Sequence, residues 1–218
     1  MFDPLFSSTR GVTLLGGGEA TPQDVREALS HAPDLVAADG GARLAVDMGL
    51  TPEAVIGDFD SLGALDAKIP KDRLHRVDEQ DSTDFEKCLR HVKAPFILGV
   101  GFSGGRLDHE LAALSGLLRY PGSNCILIGK EDLVFAAPRK IRLDLPVGCR
   151  LSLFPMAKVT GRSQGLRWPI DGLDLQPGGR IGTSNKVTGP VALEFDGPGM
   201  LVIAPREVLG HVITALRG

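Results

Sequence analysis

Val55-Ile56-Gly57-Asp58-Phe59-Asp60-Ser61 is the stretch on which the fold turns. Two apolar residues run into a glycine, and two carboxylates follow, one residue apart. In an extended backbone, residues i and i+2 point to the same side, roughly 6.6 Å apart along the chain. Two carboxylates brought to about 4 Å repel by about 4 kcal/mol at an effective dielectric near 20. Solvent, a proton or a cation between them relieves that repulsion. A hard, oxygen-seeking ion such as Mg²⁺ is the usual cation, commonly with substrate phosphates as further ligands. A plain polar turn after a strand is the other reading, because short acidic loops are common.

Outward from this stretch the same pattern recurs. Val12-Thr13-Leu14-Leu15 predicts a buried strand that ends in Gly16-Gly17-Gly18, and Thr21-Pro22 then opens a helix as N-cap and first helical residue. Leu35 to Ala38 predicts a second strand, ending in Asp39-Gly40-Gly41, with a helix from Ala42 to Met48 closed by Gly49. The third strand ends at the acidic pair. A fourth covers Leu74 to Val77, and a helix runs from Ser82 through Phe85, Cys88, Leu89 and Val92, spaced for one apolar face. Phe96-Ile97-Leu98 leads into a glycine-rich turn, Gly99 to Gly105. The next helix, Leu107 to Leu118, has Leu107, Leu111, Leu114 and Leu118 on one stripe. Cys125 to Ile128 is a sixth strand.

Short apolar runs separated by helices predict a mostly parallel sheet covered on both faces, a Rossmann-like α/β unit. In such sheets the ligand crevice lies outside the carboxyl ends of the strands. Asp39, Asp58, Asp60, Asp81, Asp84 and Asp108 can therefore converge on one rim. Beyond Gly129 the composition changes to short β segments between turn residues, with no helix expected past residue 136. Frequent turns between short strands predict a small β-sandwich or barrel. The domain boundary is placed near Ala136-Ala137-Pro138, giving units 1–136 and 137–218.

Composition excludes several classes of function. A net charge of −3 without a long basic run argues against a nucleic-acid partner. Three cysteines, Cys88, Cys125 and Cys149, make neither a zinc pattern nor a disulfide framework, and reduced thiols fit the cytoplasm. Met1-Phe2-Asp3-Pro4 lacks the basic and apolar regions of a secretory signal, and no apolar stretch is long enough to span a bilayer, so no membrane partner is expected.

Two further segments carry chemistry. Asp81-Ser82-Thr83-Asp84-Phe85-Glu86-Lys87 sits at a helix start. There Asp81 can serve as a cap and Asp84 can favour the positive helix end. Alternatively Thr83 and Asp84 face the rim, Asp84 completes a metal site, and Lys87 meets phosphate. Gly101-Phe102-Ser103-Gly104-Gly105-Arg106-Leu107-Asp108-His109 follows a strand and opens a helix. Its glycines let amides approach a phosphate, and Arg106 can grip it bidentately. The competing reading is a βα loop with Asp108 as helix cap. Trp168, the single tryptophan, is either core or a platform for a flat or cationic ring.

Seven segments resemble the thiamine pyrophosphokinase family, in the family's order. They are Ala38-Asp39-Gly40-Gly41-Ala42, Gly57 to Ser61, Gln80 to Leu89, Gly104 to His109, Ser152-Leu153-Phe154-Pro155, Gly165 to Pro169 and Gly182-Thr183-Ser184-Asn185. The Gly16-Gly17-Gly18 turn departs from the asparagine-glycine pair common at the family's start.

The resemblance implies an α/β ATP-binding catalytic domain, a β-sandwich thiamine-binding domain and a homodimer whose thiamine pocket lies between subunits. It implies pyrophosphoryl transfer from ATP to thiamine. Carried over, Asp58, Asp60 and Asp84 hold Mg²⁺, and Lys87 and Arg106 neutralise phosphates. Trp168, Ser184 and Asn185 sit at the thiamine pocket. Asp39, Thr83, Gly104 and Gly105 belong to the ligand rim. Asp108 or a metal-bound carboxylate takes the alcohol proton. Two other readings stand beside this one: phosphate transfer to another small alcohol, and a non-catalytic nucleotide-sensing module. A binder needs no acidic cluster, so the acid-rich rim counts against the second.

Overall fold

The structure is a computed structural model that describes residues 3–60 and 63–217. Ser61, the last residue of the acidic stretch, lies outside them. The chain divides into two compact units, Met1–Gly129 and Lys130–Gly218. The division falls before the expected boundary at residue 136, and strand pairing is the reason. The strand Asp132–Ala136 pairs antiparallel with Met200–Pro205, which ties it to the second unit.

The first unit contains β1 (Phe6–Ser7), β2 (Val12–Leu15), α1 (Pro22–His31), β3 (Asp34–Ala38), α2 (Ala42–Asp47), β4 (Ala54–Gly57) and β5 (Leu74–Arg76). Then come α3 (Asp84–His91), β6 (Val92–Lys93), β7 (Ile97–Val100), α4 (Leu107–Arg119) and β8 (Cys125–Ile128). Its sheet runs β8-β7-β2-β3-β4-β5, and every pairing in it is parallel. All four residues of each of β2, β4, β7 and β8 are buried. Strands covered on both faces read as continuous apolar runs, which is why they were visible in the sequence. Thr21 caps α1 in a capping box with Asp24, with Pro22 in the first turn.

Helix α3 begins at Asp84, not at Ser82, and its cap is Thr83, not Asp81. The Thr83 hydroxyl accepts from the Glu86 amide, and the Glu86 side chain accepts from the Thr83 amide. Helix α4 departs from the leucine stripe. Leu107 and Leu111 are exposed, and the buried positions are Ala113, Gly116 and Leu117. The packing against α3 explains the change. A Cβ at Gly116 would lie 3.1 Å from the Phe85 ring and 3.2 Å from Glu86. Such a close helix crossing selects small residues.

The second unit contains β9 (Asp132–Ala136), β10 (Lys140–Leu143), β11 (Arg150–Pro155), β12 (Gly161–Leu166), β13 (Gly182–Phe195), β14 (Met200–Pro205) and α5 (Leu209–Arg217). Its strands pair antiparallel throughout, so the chain as a whole is mixed α/β. Strand β13 changes neighbour along its length. It pairs with β11 through Asn185 and Lys186 and with β10 through Val191 to Glu194. Buried Val191, Leu193 and Phe195 alternate with less buried residues, as expected for a strand with one face in the core. Helix α5 corrects the expectation of no helix beyond residue 136. Val212 and Ile213 are buried on it, and Leu209 anchors its start. Among the described residues no helix is long and apolar enough to cross a membrane.

Candidate active site

Strand β4 delivers the acidic pair, but not by extended geometry. Phe59 has φ of 68°, in the left-handed region, so the chain turns between the two acids. The Asp60 amide donates to Asp58 Oδ1 at 3.3 Å, an aspartate turn of the usual kind. A third acid joins them. Asp39, at the end of β3, is buried and has φ of 38°. One carboxylate oxygen from each of Asp39, Asp58 and Asp60 lies within 4.8 Å of the others. Gly57 makes this possible, because a Cβ there would sit 2.7 Å from the Asp39 Cβ. The signal for Asp39 was present in the sequence, as an aspartate beside glycine at the carboxyl end of a strand.

A hydrogen bond from Gln80, at 3.1 Å, and the Asp60 amide keep the Asp58 carboxyl below the usual range, and burial only partly opposes them. Lys87 Nζ lies 3.6 Å from Asp58 Oδ2 and 3.0 Å from Asp84 Oδ1. Burial alone would lower the Lys87 pKa, yet the bond to Asp84 and the nearby acids leave it raised. The segment that leads into α3 is fixed by Glu79, which accepts from Ser82 and from Arg90. Glu86 is tied to α4 by Arg119, at 3.1 Å.

A cavity of about 990 Å³ opens beside this cluster in the first unit. Asp39, Thr83, Asp84, Gly104, Gly105 and Arg106 are on its wall. Asp58, Asp60, Lys87 and Asp108 are not, so Asp39 is what joins the cluster to the cavity. Gly104 and Gly105 have φ of 80° and 72°, values that only glycine adopts freely. Arg106 grips Asp108 in a two-bond fork, Nε to Oδ1 at 3.1 Å and Nη2 to Oδ2 at 2.5 Å. Asp108 is therefore no helix cap, and α4 starts with no side-chain cap. Its carboxyl is held below the usual range by that arginine. The sequence reading assigned no place in the site to several wall residues, among them Arg43 and the rings of Phe85 and Phe102, whose centroids are 4.6 Å apart. The rings carried only an apolar signal, and Arg43 is one arginine among many.

A smaller cavity, about 270 Å³, lies in the second unit. Trp168, Thr183, Ser184 and Asn185 line it. Trp168 is 54% exposed, which removes it from the core. Arg167 stands 4.9 Å from the indole centre. Asn185 is buried and clamps the Trp168 backbone from both sides. Its Nδ2 donates to the Trp168 carbonyl at 2.6 Å, and its Oδ1 accepts from the Trp168 amide at 3.1 Å. Ser184 has φ of 60°, and its amide donates to Ser152 Oγ at 2.9 Å.

With this geometry in hand, two family models match the chain. "Thiamin pyrophosphokinase, catalytic domain" covers residues 25–128, and "Thiamin pyrophosphokinase, vitamin B1 binding domain" covers 140–199. The chain belongs to the thiamin pyrophosphokinase family. It is 28% identical over 192 residues to thiamine pyrophosphokinase 1 of Arabidopsis thaliana, with 72% of each chain covered. It is 30% identical over 155 residues to a thiamin pyrophosphokinase of Caenorhabditis elegans, with 63% of each covered. Among solved structures, the thiamin pyrophosphokinase of Geobacillus thermodenitrificans aligns with a TM-score of 0.73 at 23% identity, over 89% of this chain and 96% of that one. The yeast enzyme aligns with a TM-score of 0.73 at 16% identity, over 94% and 89%. At these identities the structural likeness speaks for the fold.

Proposed function

We propose that this chain transfers a pyrophosphoryl group from ATP to the hydroxyl of thiamine, giving thiamine diphosphate and AMP. Beyond family membership, one observation carries the reading: Asp39 stands at once on the cavity wall and in the carboxylate cluster. ATP in the cavity then has its phosphates beside the acids. The donor set suits Mg²⁺, since carboxylate oxygens are the hard ligands it takes, usually shared with substrate phosphates. Asp39, Asp58 and Asp60 would hold it, with Asp84 as the further carboxylate that the resemblance adds. Bound there, Mg²⁺ would screen the phosphate charge.

The residues of the chain divide the remaining work. The Gly105 amide meets a phosphate oxygen, the Gly104 amide joins it by exchanging Glu110 Oε2, to which it donates at 3.2 Å, for phosphate, and Arg106 supplies a planar fork that fits phosphate as it fits Asp108. The thiamine oxygen attacks the β-phosphorus, the bond from that phosphorus to the AMP oxygen breaks, and AMP leaves with the electron pair. The alcohol proton passes to Asp108 or to a carboxylate of the cluster. Such transfers need positioning and charge neutralisation more than covalent chemistry. Trp168, Ser184 and Asn185 offer a flat face and polar groups for thiamine. In finer terms we read the first unit as Rossmann-like and the second as a β-sandwich. We read the assembly as a cytoplasmic homodimer with no nucleic-acid or membrane partner.

The test is incubation with ATP, Mg²⁺ and thiamine, followed by chromatography for AMP and thiamine diphosphate. Equal amounts of both are expected. ADP in place of AMP, or no product from thiamine, would count against the reading.

A further inference from the structure

We propose that Lys87 is a positioning residue: a buried counter-charge that locks Asp58 in place within the carboxylate cluster and Asp84 beside it, not a contact to the phosphates. The inference rests on the function proposed above and adds a role within the same site. Only 2% of the Lys87 side chain is exposed, and Lys87 does not line the cavity, whereas Thr83 and Asp84 do. Its ammonium therefore reaches a bound phosphate only by leaving its slot. What it does reach are two acids on separate elements. Asp84 opens α3, and its Oδ1 accepts from Lys87 Nζ at 3.0 Å. Asp58 follows β4, and its Oδ2 lies 3.6 Å from the same nitrogen.

Buried charges persist when they are paired, and removing one partner leaves the other uncompensated. The lysine thus does two things from behind the cluster. It fixes the distance between the start of α3 and the end of β4. It also offsets part of the negative charge of the acids, so the ATP-free protein holds a divalent cation loosely and the phosphates must supply further ligands.

The test is Mn²⁺ titrated into ATP-free protein by calorimetry, alongside steady-state kinetics and melting of the same samples. Lys87→Met should bind Mn²⁺ roughly fivefold or more tightly, because a positive charge has left the neighbourhood. Its kcat should fall roughly tenfold or more while KM for ATP stays within about twofold, the pattern of a lost transition-state arrangement. Lys87→Arg keeps the charge and should keep Mn²⁺ affinity within about twofold of the parent. If Lys87→Met does not fold, Lys87→Gln is the neutral variant to use, since it retains a donor toward Asp84. A lysine that contacts phosphate gives the opposite pattern, with KM for ATP raised and ATP-free Mn²⁺ binding unmoved, and that result overturns the inference. Failure of both neutral variants to fold also overturns it, in favour of a purely structural lysine. The Mn²⁺ titration contains no ATP or thiamine, so it is read separately from the product assay that tests the parent function.

Discussion

Gly57 faces Asp39 across a gap that a single methyl group would close. Gly57→Ala must therefore push Asp39 away from Asp58 and Asp60. If the proposed metal binds there, turnover should fall roughly tenfold or more, the scale of a lost support behind a ligating carboxylate. The circular dichroism spectrum should keep its parent shape; a fully active Gly57→Ala enzyme would show that the Asp39 position is not critical. Asp58→Asn and Asp60→Asn should cost more, roughly a hundredfold in kcat, the scale on which one well-placed electrostatic group acts. Trp168 belongs to the other cavity. Its exposure predicts that Trp168→Ala melts close to the parent, and KM for thiamine should rise severalfold to roughly thirtyfold, since a cation over an indole is worth about 0.5–1 kcal/mol when exposed and about 2 kcal/mol when the ligand desolvates it. A large loss of melting temperature without a selective thiamine defect would contradict this. The acids were legible because aspartate recurs beside glycine at the carboxyl ends of several apolar runs, where an α/β sheet has its crevice. The left-handed turn at Phe59 was not legible, because nothing in a phenylalanine announces a positive φ.

Each helix and strand pair carries its own test. Thr83→Ala removes the cap of α3 and should cost about 1 kcal/mol in a urea melt. Because Thr83 and Asp84 are on the cavity wall, the same change should raise KM for ATP; an altered melt with unchanged kinetics would separate the cap from the site. In the second unit, the Thr160 hydroxyl and amide both donate to the Asp196 carboxylate, at 2.8 and 2.9 Å. These bonds hold the Asp196 pKa below its ordinary value. A depressed carboxylate pKa stabilises the fold above the unfolded pKa, and that stabilisation is lost as pH falls through the folded pKa. Thr160→Val should thus lower the melting temperature at pH near 7, and the gap to the parent should close as pH falls through the folded pKa of Asp196. A gap that persists in acid would point to packing instead. Buried parallel strands were easy to read in the sequence, since both faces are apolar. The α4 stripe was harder, because leucine periodicity reports where large residues fall and not where a helix crosses closely. Gly116 lies at that crossing, while Leu107 and Leu111 are exposed. Helix α5 escaped notice because it is a single short helix in a segment otherwise full of turns.

At the scale of the whole chain, two compact units divide the chemistry, acids and glycine loop in one, tryptophan and amide in the other. Excess chelator should abolish product formation and leave the melting of the second unit unchanged; activity that survives the chelator would remove the metal from the mechanism. Light scattering at assay concentration should give the mass of a dimer, and a fully active monomer would refute the homodimer. The division also bears on how a stored preparation ages. Asn185 serves the Trp168 backbone because one planar group offers a donor on one side and an acceptor on the other. Hydrolysis of that amide to an acid would set oxygen against the Trp168 carbonyl oxygen and place a charge on a residue that is only 5% exposed. Repulsion there would spread the second cavity and leave the first intact. An aged sample would then keep its hold on ATP while losing thiamine, a decay that a nucleotide-binding check on each batch would never detect.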